Sequence, residues 1–247
     1  MKTIALASTS ALLIIGLALG WYQQNLNNQM ENNTTIFELA INKAKDGQWD
    51  QFLKSRAAFV DVLSKEDATL NEGKWKPFFT FGEMNLDPVL IGMTHWSSME
   101  GFGEAAQRLL PQKEAQAYFS SFDPLVYALL EPMDGKSFDM GTIKKEGLVV
   151  EFAVRSANSP DAFGEKRERF FNSLESFDGY QFAREFKYYE LDEKGMPQLQ
   201  ENTQAVIIVW DNAEVFQAAV PTIMSSEESK DFMGSLDVKS YFAAMPQ

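Results

Sequence analysis

An internal repeat limits what this chain can fold into more than any other feature. Trp96, Glu100, Phe102 and Ala105 recur as Trp210, Glu214, Phe216 and Ala219 at a constant offset of 114. The same offset pairs Tyr118 with Phe232, Asp123 with Asp237, Tyr127 with Tyr241 and Pro132 with Pro246. Upstream the match is looser. Glu38-Leu-Ala-Ile is echoed by Glu151-Phe-Ala-Val, and Phe52, Arg56, Phe59 and Leu63 by Phe163, Arg167, Phe170 and Leu174. Self-similarity of this kind marks one supersecondary unit used twice. It divides the chain into repeats at 36–133 and 147–247, with a glycine-containing linker (Gly135, Gly141, Gly147) between them.

Each repeat parses into the same elements. Residues 36–42 alternate as a strand, and Trp49 to Leu63 carries apolar side chains at helical spacing. Residues 74–83 and Val89–Trp96 read as strands. A helix begins at Ser97, a capping residue, and Leu125–Leu130 reads as the closing strand. The second repeat predicts strands near 148–155, 180–191, 205–210 and 238–243, a helix near 162–174 and helices from Asp211. The order β-α-β-β-α-β is the ferredoxin-like split motif. On the third strand Ile91, Met93 and His95 point one way, and Leu90, Gly92, Thr94 and Trp96 the other. Its counterpart 205–210 is apolar on both faces. A sheet with helices on one side only should be wet on the other, so both faces must be covered. The simplest cover is the sheet of the other repeat. The expected fold class is therefore α+β, two ferredoxin-like repeats forming an intramolecular α+β barrel, preceded by an N-terminal hydrophobic helix.

That helix is residues 1–21: one lysine, then an apolar run from Ile4 to Leu19, with small residues Ala18 and Gly20 before Trp21 and Tyr22. A cleaved signal peptide and a retained membrane anchor both fit. Either one exports the body of the chain, to the periplasm or to the outer face of the inner membrane. Residues 22–35 are rich in Asn and Gln and read as a flexible linker. The net charge of −13, with no basic stripe, argues against nucleic acid as a partner. The absence of cysteine excludes disulfides, thiolate nucleophiles and a lipidated cysteine anchor.

The strand-end Trp followed by an acidic residue, Phe and a small-residue patch (Trp96, Glu100, Phe102; Trp210, Glu214, Phe216) resembles the antibiotic biosynthesis monooxygenase group of dimeric α+β barrel proteins. The resemblance covers both repeats and implies a pseudo-dimer within one chain. It implies cofactor-independent oxidation of a small aromatic or quinoid compound. The alternative is a non-catalytic extracytoplasmic module that binds a small hydrophobic molecule or acts as a scaffold. Haem-degrading members of the group carry a Trp nine and a His nineteen positions after the strand-end Trp. Here those positions hold Ala105 and Ala115, and Ala219 and Ser229, which disfavours that branch. No cofactor and no metal set is expected.

Five residues are candidates for a site. His95, the only histidine, is the candidate catalytic base, because its ordinary pKa lies near neutrality. Trp96, Trp210, Tyr127 and Tyr241 are the candidate ligand-binding side chains. His95 matches a plain valine, Val209, in the other copy, and on this reading no polar constellation is repeated.

Overall fold

A computed structural model describes residues 35–136, 138–158, 160–193 and 195–247, with only the backbone of 160–162. The N-terminal segment expected to be a signal peptide or membrane anchor, and most of the expected linker, lie outside the described residues. The order of elements is β1 (Ile36–Ala44), α1 (Trp49–Leu63), β2 (Thr69–Thr80), β3 (Val89–Trp96), α2 (Met99–Leu109), α3 (Lys113–Phe119) and β4 (Phe122–Pro132). It then repeats as β5 (Val149–Ala157), α4 (Pro160–Leu174), β6 (Tyr180–Leu191), β7 (Pro197–Trp210), α5 (Ala213–Ser225), α6 (Glu227–Met233) and β8 (Leu236–Pro246). The linker contains a short 3-10 turn, Met140–Ile143. The strands hydrogen-bond in the order β1-β3-β2-β8-β5-β7-β6-β4, and β1 also pairs with β4, which closes an eight-stranded antiparallel barrel.

The second helical region of each repeat breaks into two helices where one was expected in the first. Both begin on equivalent caps: Ser98 Oγ accepts from the Gly101 amide at 2.9 Å, and Asn212 Oδ1 accepts from the Val215 amide at 3.0 Å. Each cap satisfies an amide that a helix start leaves without a partner. The cap lies one residue beyond Ser97, because Ser98 and not Ser97 presents its hydroxyl to the first turn.

The chain forms two compact units that do not coincide with the repeats. Of the described residues, unit 1 contains those up to Lys74, those within Asp87–Glu131 and those within the tip Tyr189–Leu199 of the β6–β7 hairpin. Unit 2 contains Trp75–Leu86, the tip of the β2–β3 hairpin, with Pro132–Tyr188 and Gln200–Gln247. Each repeat thus contributes a hairpin tip to the unit built mainly from the other. In unit 1 the helices cover the sheet through Leu63, Trp96, Met99, Phe102 and Leu109, with a neighbouring cluster around Phe52, Tyr118 and Phe122. In unit 2 the equivalent core is Phe163, Phe170, Leu174, Trp210, Phe216 and Phe232. Aromatic pairs tie these layers, such as Trp96–Phe102 at 5.4 Å and Trp210–Phe216 at 6.1 Å, both near edge-to-face.

One turn in unit 2 depends on glycine. Gly179 has φ +79° before β6, and a Cβ there would lie 2.5 Å from Val215 Cγ2 and 2.9 Å from Val215 Cβ. Its carbonyl also accepts from the Asp211 amide at 2.8 Å, which fixes the turn against the end of β7. Gly179→Ala combines a left-handed backbone, roughly 1–2 kcal/mol for an L-residue, with overpacking of about 1–3 kcal/mol. The expected loss is about 2–4 kcal/mol by urea unfolding, whereas Gly164→Ala, in open space on α4, should change little.

Candidate functional site

The sheet register brings the strand-end Trp, the closing-strand Tyr and a glutamate of the central strand onto the helix-facing side of each unit. In unit 1, Glu38 opposes Thr94, two residues from the Ile36–Trp96 pair, and Tyr127 opposes Ala40 on the other neighbour. Glu38 therefore sits diagonal to both aromatic residues, within reach of long side chains. Trp96 Nε1 donates to Glu38 Oε2 at 3.1 Å, and the Tyr127 hydroxyl donates to the same carboxylate. In unit 2, Glu151 opposes Ile208 next to the Val149–Trp210 register, and Tyr241 opposes Ala153. Trp210 Nε1 donates to Glu151 Oε1, and the Tyr241 hydroxyl donates to Glu151 Oε2. The Glu–Tyr–Trp arrangement is thus present twice, which corrects the expectation that no polar constellation is repeated.

Each carboxylate lies in the wall of an apolar cavity between sheet and helices. The unit 1 cavity, about 70 Å³, is lined by Glu38, Trp96 and Tyr127 with Phe59, Phe102 and Leu109, and by Leu191 and Pro197 of the β6–β7 tip. The unit 2 cavity, about 90 Å³, is lined by Glu151, Trp210 and Tyr241 with Phe170 and Phe232, and by Phe79 and Phe81 of the β2–β3 tip. Phe81 stacks on Tyr241 at 4.3 Å. Beside the unit 1 cavity lies a smaller recess where Asn42 Nδ2 donates to the Tyr118 hydroxyl at 3.1 Å and Arg56 pairs with Glu72.

Four of the five sequence candidates therefore converge in pairs on the two glutamates. His95 does not join them. As the residue before Trp96, it is set by strand alternation on the opposite face of β3, where it stacks on Phe37 with ring centroids 4.3 Å apart. Glu38 and Glu151 are the residues that sequence reasoning left out of the site.

Burial is the largest influence on both carboxyls and raises them above the ordinary value near 4.5, against the Tyr and Trp hydrogen bonds that lower them. Burial, then the adjacent carboxylate, pushes the Tyr127 and Tyr241 hydroxyls well up, so the phenols stay protonated as donors. A carboxyl whose pKa is higher in the folded chain binds more protons folded than unfolded. Its stabilising contribution is therefore complete below the unfolded value and is lost as pH rises through the folded one. The double variant Glu38→Gln/Glu151→Gln removes this dependence. Urea unfolding from pH 4 to 7.5 should show a flatter stability profile than the unsubstituted protein; an unchanged slope would show that these groups do not titrate as described.

In fold the chain is similar to several solved structures. An anthrone oxidase-like protein matches with a TM-score of 0.58 at 10% identity, over 87% of this chain and 93% of that one. A chlorite dismutase from Candidatus Nitrospira defluvii matches with a TM-score of 0.53 at 8% identity, over 87% and 92%. A candidate monooxygenase from Fusobacterium nucleatum matches with a TM-score of 0.50 at 9% identity, over 87% and 93%. No family model and no curated protein sequence matches the chain. At such identities the likeness concerns the fold, and function must be argued from the cavities.

Proposed function

We propose that each cavity binds a small phenolic or quinoid molecule and that its glutamate serves as a general base for cofactor-independent oxygenation. The observation that carries this reading is the twofold occurrence of a buried, raised carboxyl, oriented by Tyr and Trp, in the wall of an apolar cavity. A carboxyl tuned upward is suited to removing a proton near neutral pH, and an apolar cavity strengthens its interaction with the reacting hydroxyl. The resulting phenolate transfers an electron to O2, and recombination forms a carbon–oxygen bond. Loss of water from the hydroperoxide then leaves a quinone. One oxygen atom stays in the product and the other leaves as water with the hydroxyl and ring hydrogens. Tyr127 and Tyr241, held protonated, can stabilise oxyanionic character, and the Trp residues fix the carboxylate. The anthrone oxidase-like and monooxygenase-like neighbours support this class of chemistry by fold alone.

The N-terminal apolar segment supports a place of work outside the cytoplasm, cleaved or tethered. Oxygen-electrode measurements with a panel of phenols, naphthols and anthrones test the reaction. The expected result is O2 uptake matched by quinone formation, one per one. Binding without uptake would overturn catalysis and leave a non-catalytic binding module; no binding would overturn both.

A further inference from the structure

The two cavities share the glutamate but differ in charge four residues further along the central strand, where unit 1 has Asn42 and unit 2 has Arg155. Arg155 is 5% exposed and lines the unit 2 cavity. Its guanidinium carbon lies 4.9 Å from the Phe232 ring centroid, 5.2 Å from Phe171 and 5.4 Å from Phe163. Its Nη2 donates to Glu185 and, at 3.2 Å, to Gln204 Oε1, while Nε is buried with no hydrogen-bond partner.

The local charges do not balance. Arg155 and Arg167 share the single carboxylate of Glu185, whereas in unit 1 Arg56 pairs with Glu72. Glu168, which also interacts with Arg167, is on the exposed face of α4 and is screened. Glu151 does not offset the excess: four strand residues separate it from Arg155 by roughly 13 Å. Around Glu185, two guanidiniums, the buried Arg155 and the partly exposed Arg167, therefore share one carboxylate, and Arg155 keeps an unused donor in the wall of an aromatic cavity.

We propose that the unit 2 cavity selects an aromatic ligand bearing a carboxylate, which docks on Arg155, whereas the unit 1 cavity takes the neutral counterpart. This rests on reading both cavities as sites for small aromatics. A carboxylate on a guanidinium forms a charge-assisted contact, and it completes the hydrogen bonding of a group already desolvated by folding. The duplicated fold would then use one scaffold for two ligand charge states.

The test is equilibrium binding of 3-hydroxy-2-naphthoate and 2-naphthol to the full chain and to Arg155→Met and Arg155→Lys. At one of two sites the unsubstituted protein should hold the hydroxynaphthoate at least tenfold tighter than the naphthol. R155M should erase that preference by weakening hydroxynaphthoate binding at least tenfold more than naphthol binding, and R155K should keep most of it. Equal affinities in the unsubstituted protein, or a preference that survives R155M, overturns the anion site alone. Absence of binding by both compounds overturns the reading of the cavities as well. If R155M does not fold, stoichiometry in the unsubstituted protein decides: preference at one site supports the proposal, and preference at both or neither overturns it.

Discussion

Glu185→Gln should destabilise the protein by about 3 kcal/mol, the scale expected when one partner of a buried ion pair is removed. The carboxylate is the shared anion of two cations: both its oxygens accept from Arg167 Nε at 2.7 Å, and Oε1 also accepts from Arg155. Side-chain exposure is 6% for Arg155, 12% for Glu185 and 35% for Arg167, so most of the cost falls on the Arg155 side. Glutamine keeps the shape and one acceptor but leaves the buried Arg155 guanidinium with no counter-charge. Burial already lowers the Arg155 pKa to about 10, against the Glu185 carboxylate that raises it. Without that carboxylate the charged form has lost its main support. Urea denaturation gives the measurement, and a double-mutant cycle identifies the cause. Adding R155M to E185Q should recover part of the loss, because it removes the unpaired cation. Equal, additive losses would mean that the two residues act independently and that the shared-anion account is wrong.

Much of the fold was legible in the sequence, and the reason is local periodicity. The α1 helix and the β3 and β6 strands have the ranges that apolar spacing predicts. Two-sided apolarity of β3 and β7 pointed to a closed barrel, since a burial pattern records what covers a strand even when the cover is distant in sequence. The exchanged hairpin tips were not legible. Nothing local to Trp75–Leu86 or Tyr189–Leu199 says that it packs in the unit built from the other repeat. Boundaries that follow the repeat are therefore not those of the compact units.

The site was legible by halves. Trp96, Tyr127 and their counterparts are in step at an offset of 114, so a gapless comparison finds them. Glu38 and Glu151 are offset by one residue less: 58 positions separate Glu38 from Trp96, and 59 separate Glu151 from Trp210. An extra residue between β5 and β7 moves the glutamates out of step, although the sheet restores their geometry. Their echo was visible in Glu38-Leu-Ala-Ile and Glu151-Phe-Ala-Val, and an acidic residue on the helix-facing side of a buried central strand is the signal that identifies it. His95 drew attention by residue type, yet strand alternation already set it opposite Trp96.

The glutamates carry the largest expected effect on rate. If Glu38 and Glu151 each take a phenolic proton, Glu38→Gln/Glu151→Gln should lower kcat by about 10²–10⁴-fold, the usual contribution of a positioned base. Glutamine keeps one oxygen to accept from the Trp indole and presents an amide N–H that can donate to the Tyr oxygen, so the cavity keeps its shape and ligand affinity should change far less than kcat. Each single variant should leave about half the turnover when both cavities serve the same substrate, because a base in one unit does not assist the other. With a ligand that only one cavity accepts, one single variant should abolish turnover and the other leave it intact. The pH profile separates a base from a structural acceptor. The rate should rise with pH through the raised carboxyl pKa, since only the ionised form accepts the proton, and the double variant should lose that limb. Stability falls over the same interval as activity grows, for the reason worked out from the folded and unfolded proton counts. A double variant that keeps its rate and its pH profile would reduce the two carboxylates to anchors for Trp96 and Trp210.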